Sequence, residues 1–257
     1  MKSFAKVNIF LKITGTQGNY HLIASRFMLI KNLFDKIEFR EKKQKKDEFE
    51  LIGNFGCQTE SNTIYKVYQK LLAYTNSKKL RDFFSFHKIV VEKNIPEFAG
   101  LGGGSSNAGT FLNMCNDRLK LNLTKDELAK IGADVGADIP FFVYGFESAN
   151  VFGVGEIVKK FDEKPLNLEI ITPKIESDTK AVYQNYRKNY IETIDENLAN
   201  NLLKLTSKEI LENYKATILN DLLNPSSDLS PKLKGYQKKN WFFSGSGSSF
   251  FRLKIKE

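Results

Sequence analysis

The chain has 257 residues, a formal net charge of +9 and 41% hydrophobic residues, enough to bury a substantial core in one large or two moderate domains. Its two cysteines, Cys57 and Cys115, are far apart, form no Cys-x-x-Cys and are joined by just two histidines, which excludes a disulfide scaffold and a zinc site. No apolar run approaches the roughly 18 residues of a membrane helix and no charged-then-apolar leader opens the chain, so the expectation is a soluble, cytoplasmic protein with no membrane partner and with both thiols buried.

Ser3 to Ile13 alternates polar Lys6, Asn8 and Lys12 with apolar Val7, Ile9 and Leu11, the period-two pattern of a half-buried strand. Lys6 and Asn8 therefore share a face. A glycine-containing turn over residues 15–19 leads to Tyr20 and His21 and then to a mostly apolar segment ending at Ile37, read as further strand pairing. The densest charge cluster, Arg40 to Glu48, mixes both signs between apolar segments and reads as a solvated hairpin tip before a short strand, Phe49 to Ile52. The remaining lysines are scattered without aromatic-basic alternation, so nucleic acid is not the expected partner.

Asn62 is placed to cap a helix with Ile64, Val67, Tyr68, Leu71 and Leu72 on one face. Phe86 to Glu92 reads as a strand that ends at the Asn94-Ile-Pro96 break and feeds the densest glycine stretch in the chain, Ile95 to Ala108. There Gly100, Gly102, Gly103 and Gly104 permit positive φ and close approach, and Ser105, Ser106 and Asn107 stand where a helix begins. Ala108, Phe111, Leu112 and Cys115 continue at helical spacing, so loop and helix N-terminus form an anion cradle. A Walker loop is excluded because no lysine occurs between Lys93 and Lys120, and the dinucleotide fingerprint fits poorly because Ser105 occupies the third glycine position.

Thr124 to Glu127 is a capping box opening a helix through Leu128 and Ile131. Asp138 follows in a second glycine-bearing stretch, just before Ile139 and Pro140, where a carboxylate should be partly desolvated. Residues 152–156 form a turn, Leu168 to Thr172 a buried strand opening a second region, and Asp195 to Leu205 and Ser207 to Leu223 two helices, the latter closed by Asn224-Pro225. Trp241 to Phe251 sets a Gly/Ser turn between apolar strands.

A phosphate cradle, a strand lysine and a carboxylate at a turn are the parts of phosphoryl transfer to an alcohol: donors for the phosphates, and a base for the acceptor hydroxyl. Taken singly, each has a bland alternative. A strand lysine is usually solvated, an Asp before Ile-Pro usually caps a helix, and His21 could be a structural histidine.

Three motifs in order, Lys6-Val-Asn8-Ile-Phe-Leu11, Pro96 to Ala108 and Ser244 to Ser249, make the chain resemble the kinase superfamily of galactokinase, homoserine kinase, mevalonate kinase and phosphomevalonate kinase (GHMP) over nearly its full length. Ala5 to Asn8, Tyr20-His21 and Gly136-Ala-Asp138-Ile-Pro140-Phe-Phe match most closely the branch acting on cytidine diphosphate methylerythritol in the non-mevalonate (methylerythritol phosphate) isoprenoid pathway. The resemblance implies an α+β fold of two subdomains. An N-terminal, ribosomal-protein-S5-like subdomain (1–150) would carry the ATP and catalytic residues, and a C-terminal, ferredoxin-like subdomain (151–257) would complete the substrate cleft.

It further implies Asp138 as general base and Lys6 as its catalytic partner. Pro96, Glu97, Phe98, Ala99, Gly100, Leu101, Gly102, Gly103, Gly104, Ser105 and Ser106 would bind ATP, with Mg²⁺ arriving on the nucleotide and no dedicated metal site. Asn8, Tyr20, His21, Thr179 and Tyr183 would bind the substrate, with Tyr20 and Tyr183 as aromatic faces for cytosine. Gly245, Ser246, Gly247 and Ser248 would lie near the phosphates or the acceptor. The family's usual Asp-Gly-Tyr-His is here Gly18-Asn19-Tyr20-His21, and the match beyond residue 170 is thin apart from Asn220-Asp221 and the last glycine turn. A sibling kinase for mevalonate, homoserine or a sugar, a non-catalytic nucleotide-binding module, and a monomeric or homodimeric state all remain open on sequence.

Overall fold

The computed structural model describes residues 1–254; residues 255–257 of the expected C-terminal subdomain lie outside it. The chain forms two compact units: Met1–Ala5, Lys31–Ile95 and Gly103–Gly145 make the first, and Lys6–Ile30, Pro96–Gly102 and the chain from Phe146 onward make the second. These bounds interleave where a consecutive division at 150/151 was expected. The cause is strand length: β1 (Lys2–Gln17) and β2 (Tyr20–Glu41) have 16 and 22 residues, and each serves both units. At about 3.3 Å per residue, a strand of that length exceeds the reach of one small core.

In the first unit, the far half of β2 pairs antiparallel with β4 (His87–Glu92), and β4 pairs parallel with β3 (Leu51–Ile52). The charged segment after Arg40 is therefore a crossover and not a hairpin tip, because β4 lies between β2 and β3. It is also tied down. The Lys42 ammonium donates to the carbonyls of Lys46, Glu48 and Phe84.

Helix α1 (Thr63–Thr75) starts at Asn62, whose side chain accepts from Ile64 N, and ends at Asn76 in the left-handed region. A cap of this kind contributes about 1 kcal/mol. Its buried Ile64, Val67 and Leu71 meet Phe111, Leu112 and Cys115 of α3 (Gly103–Leu119) and Leu128 and Ile131 of α4 (Lys125–Ala133). Between α1 and β4 lies α2 (Lys78–Phe86), which the sequence reading passed over; its Leu80 and Phe84 complete this core. The Thr124–Glu127 capping box forms as read. Helix α5 (Ile139–Tyr144) packs closely on α3, where a Cβ on Gly109 would lie 2.8 Å from Phe142 Cβ. Cys115 is buried, and burial raises its thiol pKa well above the ordinary value; Cys57, expected to be buried, is exposed.

In the second unit, β2 pairs antiparallel with β5 (Ser148–Phe152), and β5 with β6 (Ile157–Lys160). The expected half-buried strand is buried on both faces from Lys6 to Ile13. A smaller antiparallel sheet runs in the order β7 (Leu168–Ile171), β9 (Phe250–Leu253), β8 (Phe242–Phe243). Helices α6 (Thr179–Asn189) and α7 (Glu196–Leu202) open on the Asp178 and Asp195 caps.

The single helix expected over 207–223 is three pieces: α8 (Ser207–Asn213), α9 (Ala216–Leu219) and α10 (Leu223–Leu229). The break at Asn220 has a cause. Asn220 is extended, with φ −135° and ψ 108°, bridges to Leu11, and donates its side-chain amide to the carbonyls of Phe243 and Gly245. Pro225 sits inside the first turn of α10, where a missing N–H costs no helical bond.

Candidate active site

The glycine stretch is framed in the first unit by Asp35, which is fully buried. Its carboxylate accepts from Lys93 Nζ, from the backbone N–H of Asn94 at 2.6 Å and Ile95 at 2.8 Å, and from Asn107 Nδ2 at 2.9 Å. One carboxylate thus ties the end of β4 to the first turns of α3. The helix starts at Gly103, two residues before the expected serines, so Ser105 and Ser106 lie inside its first turn. The Ser106 hydroxyl is 2.7 Å from that of Ser3, and Thr63 Oγ1 donates to Gly104 O at 2.8 Å.

In the second unit the loop takes positive φ at three alternate residues, Phe98 (52°), Gly100 (72°) and Gly102 (70°). A bulky residue in that region is an outlier of the kind held at ligand-binding loops. Phe98 is 57% exposed, so no apolar burial accounts for its backbone. The late Ser244–Ser249 loop seats directly on this segment. Ser244 Oγ donates to Gly100 O at 3.0 Å, Ser249 N donates to Ala99 O at 3.2 Å, and a Cβ on Gly247 would lie 2.0 Å from Gly100 N. Two motifs about 140 residues apart therefore form one surface. Hydroxyls of Ser177, Ser226 and Thr179 bond to Ser246, so Thr179, expected at the substrate, is bonded into the frame of the late loop.

Lys6 and Asn8 come together beside these loops. Lys6 Nζ donates to Asn8 Oδ1 at 2.6 Å and stands 4.4 Å from the centroid of the Phe27 ring. Asn8 Nδ2 donates to Ser25 Oγ at 2.9 Å, and the backbone N–H of Asn8 reaches Ser244 Oγ at 3.3 Å. Lys6 N donates to Leu101 O at 3.0 Å, which joins the strand to the glycine loop. At 3% exposure the Lys6 ammonium is desolvated, oriented by an amide and an aromatic face.

The Tyr20 side chain is exposed at 67%, whereas His21 is buried at 7%. Tyr183 packs on His21 with ring centroids 5.2 Å apart, and Tyr186 meets the same ring edge-on at 5.9 Å. Arg187 closes the cluster: Nε lies 3.5 Å from His21 Nε2, and Nη2 donates to Tyr20 O at 3.1 Å. Burial, and secondarily the Arg187 charge, lower the His21 pKa, so the ring is neutral near pH 7.

Asp138 is half-buried at the start of α5 and its side chain makes no cap hydrogen bond. The bland capping role is thus not the one it performs. Among the described residues no three His, Cys, Asp or Glu gather as a metal cage.

Two contributors escaped the sequence reading, Asp35 and Arg187, as did the pairing of Lys12 with Asp221. Lys12 Nζ bonds to Asp221 Oδ1, and Ile13 N donates to Asp221 Oδ2 at 2.7 Å. Burial raises the Asp221 pKa, with Lys12 opposing. Two signals were present. Lys12 lies an even number of residues from Lys6 and so shares its strand face, and Arg187 lies one helical turn beyond Tyr183.

The sequence profile of the GHMP kinases N terminal domain matches residues 62–146. The 4-diphosphocytidyl-2-C-methyl-D-erythritol kinase of Sulfurimonas denitrificans is 49% identical over 100% of this chain and 97% of its own. That of Campylobacter jejuni (serotype O:6) is 44% identical, covering 98% of this chain and 99% of its own. A crystal structure of 4-(cytidine 5'-diphospho)-2C-methyl-D-erythritol kinase matches with a TM-score of 0.75 and 26% identity, covering 98% of this chain and 89% of that one. The Methanococcus jannaschii mevalonate kinase shares the fold, with a TM-score of 0.63 and 16% identity over 99% of this chain and 90% of its own. The fold is that of the GHMP kinases. Within them, at this identity over its whole length, the chain belongs to the 4-diphosphocytidyl-2-C-methyl-D-erythritol kinase family.

Proposed function

We propose that the protein transfers the γ-phosphoryl group of ATP to the 2-hydroxyl of 4-diphosphocytidyl-2-C-methyl-D-erythritol, in the non-mevalonate isoprenoid pathway of the cytoplasm. The observation that carries this reading is the seating of the Ser244–Ser249 loop on the Ala99–Gly100 backbone beside the buried Lys6–Asn8 pair. A loop curled through positive φ and continued into a 17-residue helix suits the anionic triphosphate. Mg²⁺ carried on the nucleotide would neutralise phosphate charge.

In this reading Asp138, half-buried at the start of α5, takes the proton of the acceptor hydroxyl. Lys6 offsets the charge that builds on the acceptor oxygen, and Asn8 orients the ammonium. Pro96 to Ser106 hold the phosphates, with Gly245 to Ser248 behind them. Tyr20, His21 and Tyr183 grip the cytidine, supported by the packing of the Tyr183 ring against His21. Thr179 acts through Ser246, to which its hydroxyl bonds.

The Asp138→Asn variant tests the chemistry. The expected result is a kcat loss of roughly a hundredfold or more, the usual scale for a lost general base, with ATP binding unchanged. Wild-type protein that binds ATP yet releases no ADP with any acceptor would contradict the reading and favour a nucleotide-binding module.

A further inference from the structure

We propose that the pocket between the α8–α9 segment and the chain entering β8 is a second ligand site, built for a small organic anion with an apolar body, and that its occupant acts on the Ser244–Ser249 loop. The pocket holds about 470 Å³ and is lined entirely by the second unit, with Leu211 to Thr217 on one wall and Gln237 to Phe242 on the other. A volume of that size suits a small molecule. Its floor is apolar: Leu211, Leu223, Trp241 and Phe242 are each exposed by 7% or less.

The rim carries positive charge. Lys215 stands on the first wall and Lys238 and Lys239 on the second, all three exposed. Among the described residues none of the three forms an ion pair. The one carboxylate in the lining, Glu212, is already matched by Lys208 Nζ at 3.7 Å. From Pro231 to Asn240 the chain has four lysines and no acid. Uncompensated ammonium groups around a concave apolar floor attract a negative head group, and the floor takes the apolar body that a bare ion lacks. The lysine-bearing wall is held by its own bonds: Lys238 N donates to Tyr236 O at 2.8 Å, Trp241 N to Lys238 O at 3.1 Å, and Gln237 Nε2 to Ser227 Oγ at 2.8 Å.

Both walls lead to the same loop. Trp241 and Phe242 run through β8 into Ser244, and α9 is followed by Asn220, whose amide donates to Phe243 O at 2.9 Å and Gly245 O at 3.0 Å. A ligand bridging Lys215 and Lys238 spans the two supports and orders them, so the loop gives up less conformational entropy when it meets the nucleotide. This coupling rests on the reading that the loop lies at the ATP phosphates; the site itself does not.

Trp241 is the sole tryptophan and reports from inside the pocket. The probe is anilinonaphthalene sulfonate, an aromatic body with one fixed negative charge. Wild-type protein should bind it saturably at one site, with quenching of Trp241. Lys238→Gln combined with Lys239→Gln should weaken that binding roughly tenfold, the sum of two exposed charge contacts. Adding Mg²⁺ and ATP should tighten the probe about fivefold, and by reciprocity the probe should tighten ATP by the same factor. No saturable quenching, an affinity unchanged in the lysine variant, or displacement of the probe by ATP would overturn the site. A probe affinity unmoved by ATP would overturn its coupling to the loop. Absence of turnover with every acceptor would contradict the functional reading instead, and Trp241 quenching decides the site in either case.

Discussion

Gly100 and Gly247 meet backbone to backbone: a Cβ on Gly247 would lie 2.0 Å from Gly100 N, and a Cβ on Gly100 would lie 2.1 Å from Ser244 O. Neither loop can keep its course if either residue gains a side chain. Gly100→Ala and Gly247→Ala should each lose about 3 kcal/mol or more of stability, beyond ordinary overpacking, because the obstructing atoms are backbone. For a chain of this size that is a fall in Tm of roughly 6–12 °C by calorimetry. Gly235→Ala, with no atom within 4 Å of its Cβ, should leave Tm within about 1 °C.

Asp35 holds Lys93 and two backbone donors ahead of the glycine loop. Asp35→Ala leaves Lys93, whose side chain is 8% exposed, without its carboxylate. Removing one partner of a buried pair costs about 3–5 kcal/mol, so urea unfolding should show a free-energy loss of that size, read as a lower midpoint at unchanged m. ATP affinity should fall as well, since the same carboxylate fixes the entry to α3.

The Lys12–Asp221 pair is buried to 6% and 9% side-chain exposure. Asp221→Leu alone should destabilise the protein by about 3–5 kcal/mol, whereas Lys12→Met with Asp221→Leu should recover most of the loss. A double-mutant cycle measures the coupling; additive effects would show that the two side chains do not act as a pair.

The parts of the fold legible in the sequence were those governed by local rules. The Asn62 cap and the Thr124–Glu127 box need only residues three or four apart, and both formed as read. What escaped depends on partners distant in sequence. Nothing local to Arg40–Glu48 reveals that β4, some 45 residues on, will lie between β2 and β3. Ser207 to Leu223 has helical periodicity throughout, but Asn220 spends its side chain on the loop at 243–245 and breaks the helix. At the candidate site, Lys6 and Asn8 were legible because strand alternation puts them on one face, and the structure joins them. Arg187 was not, because an arginine in a last helical turn is ordinarily read as complementing the helix dipole.

His21 supplies a pH dependence with a defined sign. Its pKa is lowered below 6.5, first by burial and then by Arg187, so the neutral ring is the folded form near neutrality. The stability this contributes is present above pH 6.5 and is lost as pH falls through the lowered folded pKa. KM for the cytidine substrate should therefore be flat from about pH 8 to 6.5 and rise below it. In Arg187→Ala the rise should begin at higher pH, since one of the two lowering influences is gone; pH profiles of KM measured in parallel check this.

The most direct measurement is ADP release from ATP and Mg²⁺ with each of four acceptors offered separately: 4-diphosphocytidyl-2-C-methyl-D-erythritol, mevalonate, homoserine and galactose. Turnover with the cytidylyl acceptor alone, and its loss in Asp138→Asn, is the predicted result. Turnover with mevalonate, homoserine or galactose and none with the cytidylyl acceptor would contradict it.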